Sequence, residues 1–260
     1  MSADDMFMRN IGLVTKEEQE IISKTKVGVA GCGMGSEVAR QLTRFGFSIS
    51  ALADPDTVEH HNLNRQSYHQ THVGKKKVEA LLEKIQLINP ELKPKLFLDG
   101  ITRSNYKEFV DLSDIVVDAI DPAFISMSVV LTRESLRNKK PVVTAIDFGF
   151  GARLFVFSPE GPDILDFMGL DKNLSDTEIQ KIPIEKAMKS YIENIPNYSM
   201  DVILKTTQGE LPYYPQNMLA VGQAAVLITS ACKRLALGQK VTTVPQYVHI
   251  DPDLLVSGSK

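Results

Sequence analysis

Lys26 to Ala39 reads KVGVAGCGMGSEVA, and the fold follows from it. Val27, Val29 and Ala30 form a short apolar strand. Gly31, Gly33 and Gly35 then crowd a tight turn. From Ser36 to Phe45 the apolar residues Val38, Leu42 and Phe45 recur at helical spacing. A strand, a glycine turn and a helix in that order make an anion-binding corner. Glycine lets the backbone approach an anion, and the helix N-terminus offers free N–H groups and partial positive charge. Many such corners bind nothing, so the meaning of this one depends on the stretch from Asp54 to Lys77.

Ser48 to Ala53 is expected to be the second strand, with Asp54 just past its end. In a dinucleotide-type fold an acid there accepts hydrogen bonds from ribose hydroxyls. Asp54 follows the glycine turn by about 20 residues, the spacing of that fingerprint. Up to this point NAD and ATP fit equally. The next residues separate them. DPDTVEHHNLNRQ (54–66) is followed by SYHQTHVGKKK (67–77), a polar loop that a dehydrogenase has no use for. Arg65 offers a planar fork to phosphate oxygens, Lys77 a point charge, and Asn62, Asn64 and Gln66 neutral donors. Singly, Arg65 reads as a surface ion pair and Lys75 to Lys77 as a solvated helix start. Together, downstream of a ribose acid, they favour a polyphosphate.

The glycine turn with its Gly-Ser and Val-Ala, then DxDxVxxxNLNRQ, VGxxK and a later DxxD ending at Asp121 resemble the ThiF/MoeB/HesA adenylyltransferases. These belong to the ubiquitin-activating-enzyme-like superfamily. The matching motifs run in family order from Lys26 to Asp121, with weaker similarity to about Asp251. The resemblance implies an α/β fold, Rossmann-like and doubly wound, its mostly parallel sheet extended by antiparallel strands at the C-terminal end. It implies one adenylation domain over 1–260, with nucleotide binding in about 25–150 and substrate-facing and dimerisation parts in about 151–260. ATP and Mg²⁺ are the implied cofactors. Gly31, Gly33, Gly35, Asp54, Asp56, Asn62, Asn64, Arg65, Gln66 and Lys77 would bind the nucleotide, and Asp121 the metal. Arg65, Lys77 and Asp121 would act in catalysis, joined by Arg9, which in a homodimer would reach the partner's ATP. Without the resemblance Arg9 reads as a surface arginine. The implied partner is a small ubiquitin-like or sulfur-carrier protein whose C-terminal carboxylate is adenylated.

Composition agrees. The chain has 260 residues, 43% hydrophobic and 23% charged, enough for one large α/β domain or one with an appendage. Net charge is -3 and the pI about 6.0, so no overall basic surface argues for nucleic acid, although tRNA is not excluded. Two cysteines, Cys32 and Cys232, make neither a disulfide framework nor a four-cysteine zinc site. MSADDMFMRN is acidic and lacks the apolar core of a signal peptide, and residues 1–5 are expected to fray. The longest apolar run, Leu219 to Ala231, is broken by Gly222, Gln223, Thr229 and Ser230 and reads as too short for a membrane span. A cytoplasmic protein without membrane contact is expected.

Other elements follow the same logic. Thr15 opens a capped helix running through Ile22. Lys77 to Asn89 carries an apolar stripe and ends before Pro90. Lys95 to Leu98, Ile115 to Asp118 and Pro141 to Ala145 are strands, the second β-branched and central. DFGFGARLFVFSPEGP is a hairpin, 163–215 a polar irregular stretch, Met218 to Leu237 a helix capped by Gly238, and VPQYVHIDP a last strand. The departures from the family pattern are specific. The glycine turn is one residue short, and Asp121 is followed by Pro122. The paired CxxC zinc motifs are missing, so no zinc is expected. The 163–215 stretch has no cysteine, which argues against an enzyme thioester. Rival readings are another carboxylate, in a peptide or a modified tRNA nucleoside as in threonylcarbamoyladenosine dehydratases, a scaffold with a decayed site, and an NAD-dependent oxidoreductase.

Overall fold

Thr15 starts the first helix with a reciprocal cap. Its hydroxyl oxygen accepts from the Glu18 N–H, and the Glu18 carboxylate accepts from the Thr15 N–H. The computed structural model describes residues 6–254, so the expectation for residues 1–5 lies outside the described part. From this cap the chain runs α1 (Lys16–Lys24), β1 (Lys26–Ala30), α2 (Met34–Phe45) and β2 (Ser48–Ala53). It continues through α3 (Lys77–Gln86), β3 (Lys95–Phe97), α4 (Tyr106–Asp111), β4 (Ile115–Asp118) and α5 (Ile125–Arg137). The hairpin β5 (Val142–Phe148) and β6 (Gly151–Phe157) follows. Then come α6 (Ile164–Phe167), α7 (Asp176–Ile179), α8 (Ile184–Ile192), α9 (Asn197–Thr207), α10 (Met218–Ala236) and β7 (Val248–Ile250).

The strands form one sheet in the order β3-β2-β1-β4-β5-β6-β7. The first five are parallel, and β6 and β7 extend the sheet antiparallel. This is the doubly wound, Rossmann-like α/β fold expected from the sequence. Both faces are covered, so the central strands are apolar on both sides. On one face Val27 and Val29 of β1 join Val38 and Leu42 of α2, Leu81 of α3 and Ile228 of α10. On the other, Ala30 and Val116 meet Phe109 of α4, Val129 of α5, Phe155 of β6 and Tyr191 of α8. Gly28 is required on this second face, because a Cβ there would lie 2.2 Å from Ser113 Oγ.

Three expectations need correction. Helix α3 stops at Gln86, short of Asn89: the Ile88 N–H bonds three residues back to the Ile85 carbonyl (3.1 Å), so the last turn tightens ahead of Pro90, which has no N–H to continue it. The stretch 163–215 is largely helical. Two of its prolines act as helix starts: Pro183 and Pro196 are the N-cap residues of α8 and α9, where a missing N–H costs nothing. Finally, α10 is long and apolar enough to cross a membrane by length and composition, since it continues through Cys232, Leu235 and Ala236. Here it is a core helix, with Ala220, Ala224, Ile228 and Cys232 buried over the sheet.

Candidate active site

β1 and β4 are neighbours in the sheet, yet the chain leaves them in opposite directions, toward β2 and toward β5. Ligands of open α/β sheets gather beyond the strand C-termini at such a point. Gly31 makes the corner. Its φ is +88°, its N–H donates to the Ala53 carbonyl (2.7 Å), and a Cβ would lie 2.0 Å from the Ala119 oxygen. Gly35 brings α2 down on β1, where a Cβ would sit 2.8 Å from Val29 Cγ1. Helix α2 begins at Gly33 without a side-chain cap, so the positive end of its dipole is left to an anion. The turn, although one residue short, still builds the strand–turn–helix corner.

Asp54 is buried under this turn. Its carboxylate accepts from the Cys32 N–H (2.6 Å) and the Asp56 N–H (2.9 Å), and burial raises its pKa while nearby Lys77 lowers it. Lys77 is buried and its ammonium reaches Asp56 Oδ2 at 2.8 Å. Tyr68, which sequence reasoning did not single out, donates its hydroxyl to the Cys32 carbonyl (2.7 Å) and fixes the turn from below. Gln66 is buried, its Nε2 would lie 3.4 Å from a Cβ on Gly33, and its Oε1 is buried without a partner. A turn closed to side chains at Gly31 and Gly35, an uncapped helix end and a buried lysine fit a nucleotide's phosphates, whereas the orphaned Gln66 oxygen, an acceptor, suits a donor such as a hydroxyl or amino group.

The NLNRQ segment forms a 3-10 turn over His60–Asn64. Asn62 is buried and its Oδ1 accepts from the Glu59 N–H (2.9 Å), so it shapes the loop from inside. Arg65 donates to the His61 carbonyl (3.1 Å) and to Asn64 Oδ1 (2.9 Å). Asn64 donates to the Gln216 carbonyl (3.0 Å), and Gln216 Nε2 donates to both oxygens of Asp147 (3.3 and 3.1 Å). Asp147, at the end of β5, faces Arg65 electrostatically. Burial raises the Asp147 pKa, and Arg65 and Gln216 pull it back.

Asp121 is exposed and spends Oδ1 on the Ala123 N–H (2.8 Å), capping the 3-10 turn that Pro122 opens. Among the described residues no group of three His, Cys, Asp or Glu side chains is arranged to hold a metal ion. A magnesium ion carried by phosphates asks for fewer protein ligands than that. Asp118, two residues before Ile120 and wholly enclosed, is pushed up to about 6 by burial. Arg9 stands apart. It is exposed, and its neighbours Phe7 and Asn10 lie against Gly46 and the Phe45 carbonyl at the far end of α2. The chain thus gathers Gly31, Gly33, Gly35, Asp54, Asp56, Gln66 and Lys77 at one corner and joins Asn64 and Arg65 to Asp147. It does not bring Arg9 to its own site. Asp147 and Gln216 were missed, although an acid at the end of an apolar strand recurs at Asp54, Asp118 and Asp147.

This arrangement is a Rossmann-type switch point bordered by a polar loop. The chain belongs to the ThiF family, whose model matches residues 7–251. A tRNA threonylcarbamoyladenosine dehydratase of Bacillus subtilis is 33% identical over 143 residues, 54% of this chain and 56% of that protein. The SAMP-activating enzyme E1 of Haloferax volcanii is 29% identical over 164 residues, 61% of this chain and 59% of that protein. The chain therefore spans somewhat more than half the length of these curated relatives. Among solved structures, that of selenomethionine PaaA has a TM-score of 0.73 at 19% identity, covering 98% of this chain and 82% of that one. At that identity the likeness concerns the fold.

Proposed function

We propose that this chain is an ATP-dependent adenylyltransferase that activates a carboxylate as an acyl adenylate. The observation that supports the reading is the gathering of the uncapped glycine turn, Asp54, Gln66 and Lys77 at one corner beyond the strand ends, with Arg65 next to Gln66 in the bordering loop. A carboxylate oxygen attacks the α-phosphorus, the bond to the pyrophosphate oxygen breaks, and pyrophosphate leaves. This step needs alignment and charge stabilisation and no covalent protein group. The amides of the α2 N-terminus approach the phosphates, Asp54 holds ribose, and Asn64, Arg65 and Lys77 bear on the triphosphate. Asp121 would hold Mg²⁺, which would offset phosphate charge when bound.

Both cysteines are fully buried and burial raises both thiols, Cys232 to about 12, so neither serves as a thiolate nucleophile. The adenylate is handed directly to an incoming nucleophile. The favoured acceptor is the C-terminus of a small ubiquitin-like or sulfur-carrier protein. The alternative, a tRNA-borne carboxylate, is supported by the name of the Bacillus relative. Against it, residues 163–215 hold nine acidic and five basic side chains, a poor footprint for RNA. The reading includes a cytoplasmic setting, a nucleotide-binding part over about 25–150 and a substrate-facing part beyond it. It also includes a homodimer that places Arg9 at the partner's site. The exposed Met8, Leu13, Leu219 and Val226 offer apolar surface for such a contact.

ATP–pyrophosphate exchange tests the function, measured with a panel of small carrier proteins ending in Gly-Gly and with bulk tRNA. Exchange that depends on a carrier protein is expected. Exchange with tRNA alone would move the chain to the dehydratase branch, and none with any acceptor would favour a scaffold.

A further inference from the structure

The family motifs do not assign Asp147, yet the molecule fixes it firmly. Gln216 donates to both its oxygens, and the turn that follows is held by three residues of α9 and the start of α10. Asn217 Nδ2 donates to the Gly149 carbonyl (2.6 Å), Gln223 Nε2 donates to the Phe150 carbonyl (2.8 Å), and the Phe150 N–H donates to the Tyr198 hydroxyl (3.2 Å). At Gly149 a Cβ would sit 2.3 Å from Tyr198 Cε2. Gln216 therefore fixes the carboxylate, and a chain of hydrogen bonds links it to Arg65: the Gln216 carbonyl accepts from Asn64, and Asn64 Oδ1 accepts from Arg65.

The charge balance at the rim gives this placement its meaning. Lys77 is already paired with Asp56. Arg65, bonded to the His61 carbonyl and Asn64 Oδ1, attracts Asp147 at longer range, and Asp121 adds a second negative charge to the field at Asp147. A triphosphate drawn to Arg65 must enter beside both carboxylates. A bare triphosphate is repelled there, whereas one that carries a divalent cation is not, because the cation offsets the like charges at close range.

We propose that Asp147 is a specificity residue of the nucleotide site: it balances Arg65 before nucleotide binds and makes the site accept ATP with its divalent cation and reject bare ATP. The inference rests on the ATP reading above. Calorimetric titration of ATP into the full chain tests it, at fixed ionic strength, with Mg²⁺ or with EDTA. The proteins compared are the unmodified chain and Asp147→Asn, with Asp147→Ser in reserve if the first variant fails to fold. Thermal unfolding without nucleotide controls for the fold.

The unmodified chain is expected to bind ATP at least about tenfold more weakly in EDTA than in Mg²⁺, and Asp147→Asn to narrow that ratio to about threefold, mainly by tighter binding of bare ATP. A merely structural role would move both affinities together and leave the ratio alone. An unchanged ratio in a variant that still binds ATP overturns the role of Asp147 and leaves the ATP reading standing. Failure of the unmodified chain to bind ATP in either condition overturns both.

Discussion

At the scale of single residues, Arg65 and Asp121 sit on strand-end loops and carry little of the packing. Arg65→Ala and Asp121→Ala are each expected to lower pyrophosphate exchange at least about a hundredfold, the loss typical of one removed electrostatic stabiliser. Melting temperatures should stay within a few degrees, and retained exchange in either variant would refute its assigned role. Asp118 behaves differently. Its folded pKa is raised to about 6 by burial, above the ordinary 3.8, so the native state binds its proton more tightly than the unfolded chain does. Stability from this group is full below about 4 and falls as pH rises toward 6, by on the order of 3 kcal/mol. Asp118→Asn should therefore flatten the pH 4–6 part of the stability profile in urea titrations and raise stability at pH 7. A profile as steep as before would place the titration elsewhere. The gathering of Asp54, Gln66 and Lys77 at one corner was legible in residues, because they lie in motifs of fixed spacing around the glycine turn. Asp147 and Gln216 were not, because their meaning arises only when β5 and the start of α10 close on Asn64 across 152 residues of chain.

At the scale of elements, the strands were readable and the helices of 163–215 were not. β2 and β4 lie where their apolar runs and flanking acids put them, since buried parallel strands leave a continuous apolar signal. In 163–215 two prolines masked helix starts, and the segment draws its stability from outside itself. Arg153 on β6 is almost wholly buried and its guanidinium reaches the carbonyls of Tyr191 (3.2 Å), Glu193 (2.5 Å) and Asn194 (3.2 Å), closing the C-terminal end of α8. Tyr247 lies against the same group, 4.0 Å from ring centroid to guanidinium carbon. Arg153→Leu would strand those carbonyls and is expected to cost about 2–4 kcal/mol, with faster proteolysis between 180 and 215. Arg153→Lys should not rescue it, because an ammonium lacks the planar fork. Proteolysis no faster than in the unmodified chain would show that the segment stands without this clamp. By contrast Thr15→Ala removes one reciprocal cap and should cost about 1 kcal/mol in thermal unfolding.

For the whole molecule, the central claim is that the switch point between β1 and β4 binds ATP rather than NAD. The same glycine corner and the same acid after β2 serve both ligands, so the fold alone does not choose. The choice rests on the polar loop that carries Arg65 and on the buried Lys77. A homodimer would add Arg9 from the partner, and light scattering of the purified chain checks that mass directly. The most direct measurement is thermal unfolding of the purified protein with ATP or with NAD, each with and without Mg²⁺. A ligand that binds the native state raises its stability by mass action, about 2.7 kcal/mol at a hundred times the dissociation constant. A rise in melting temperature with Mg²⁺ and ATP, and none with NAD, is the result predicted. A rise with NAD alone would contradict the account and return the chain to the oxidoreductases.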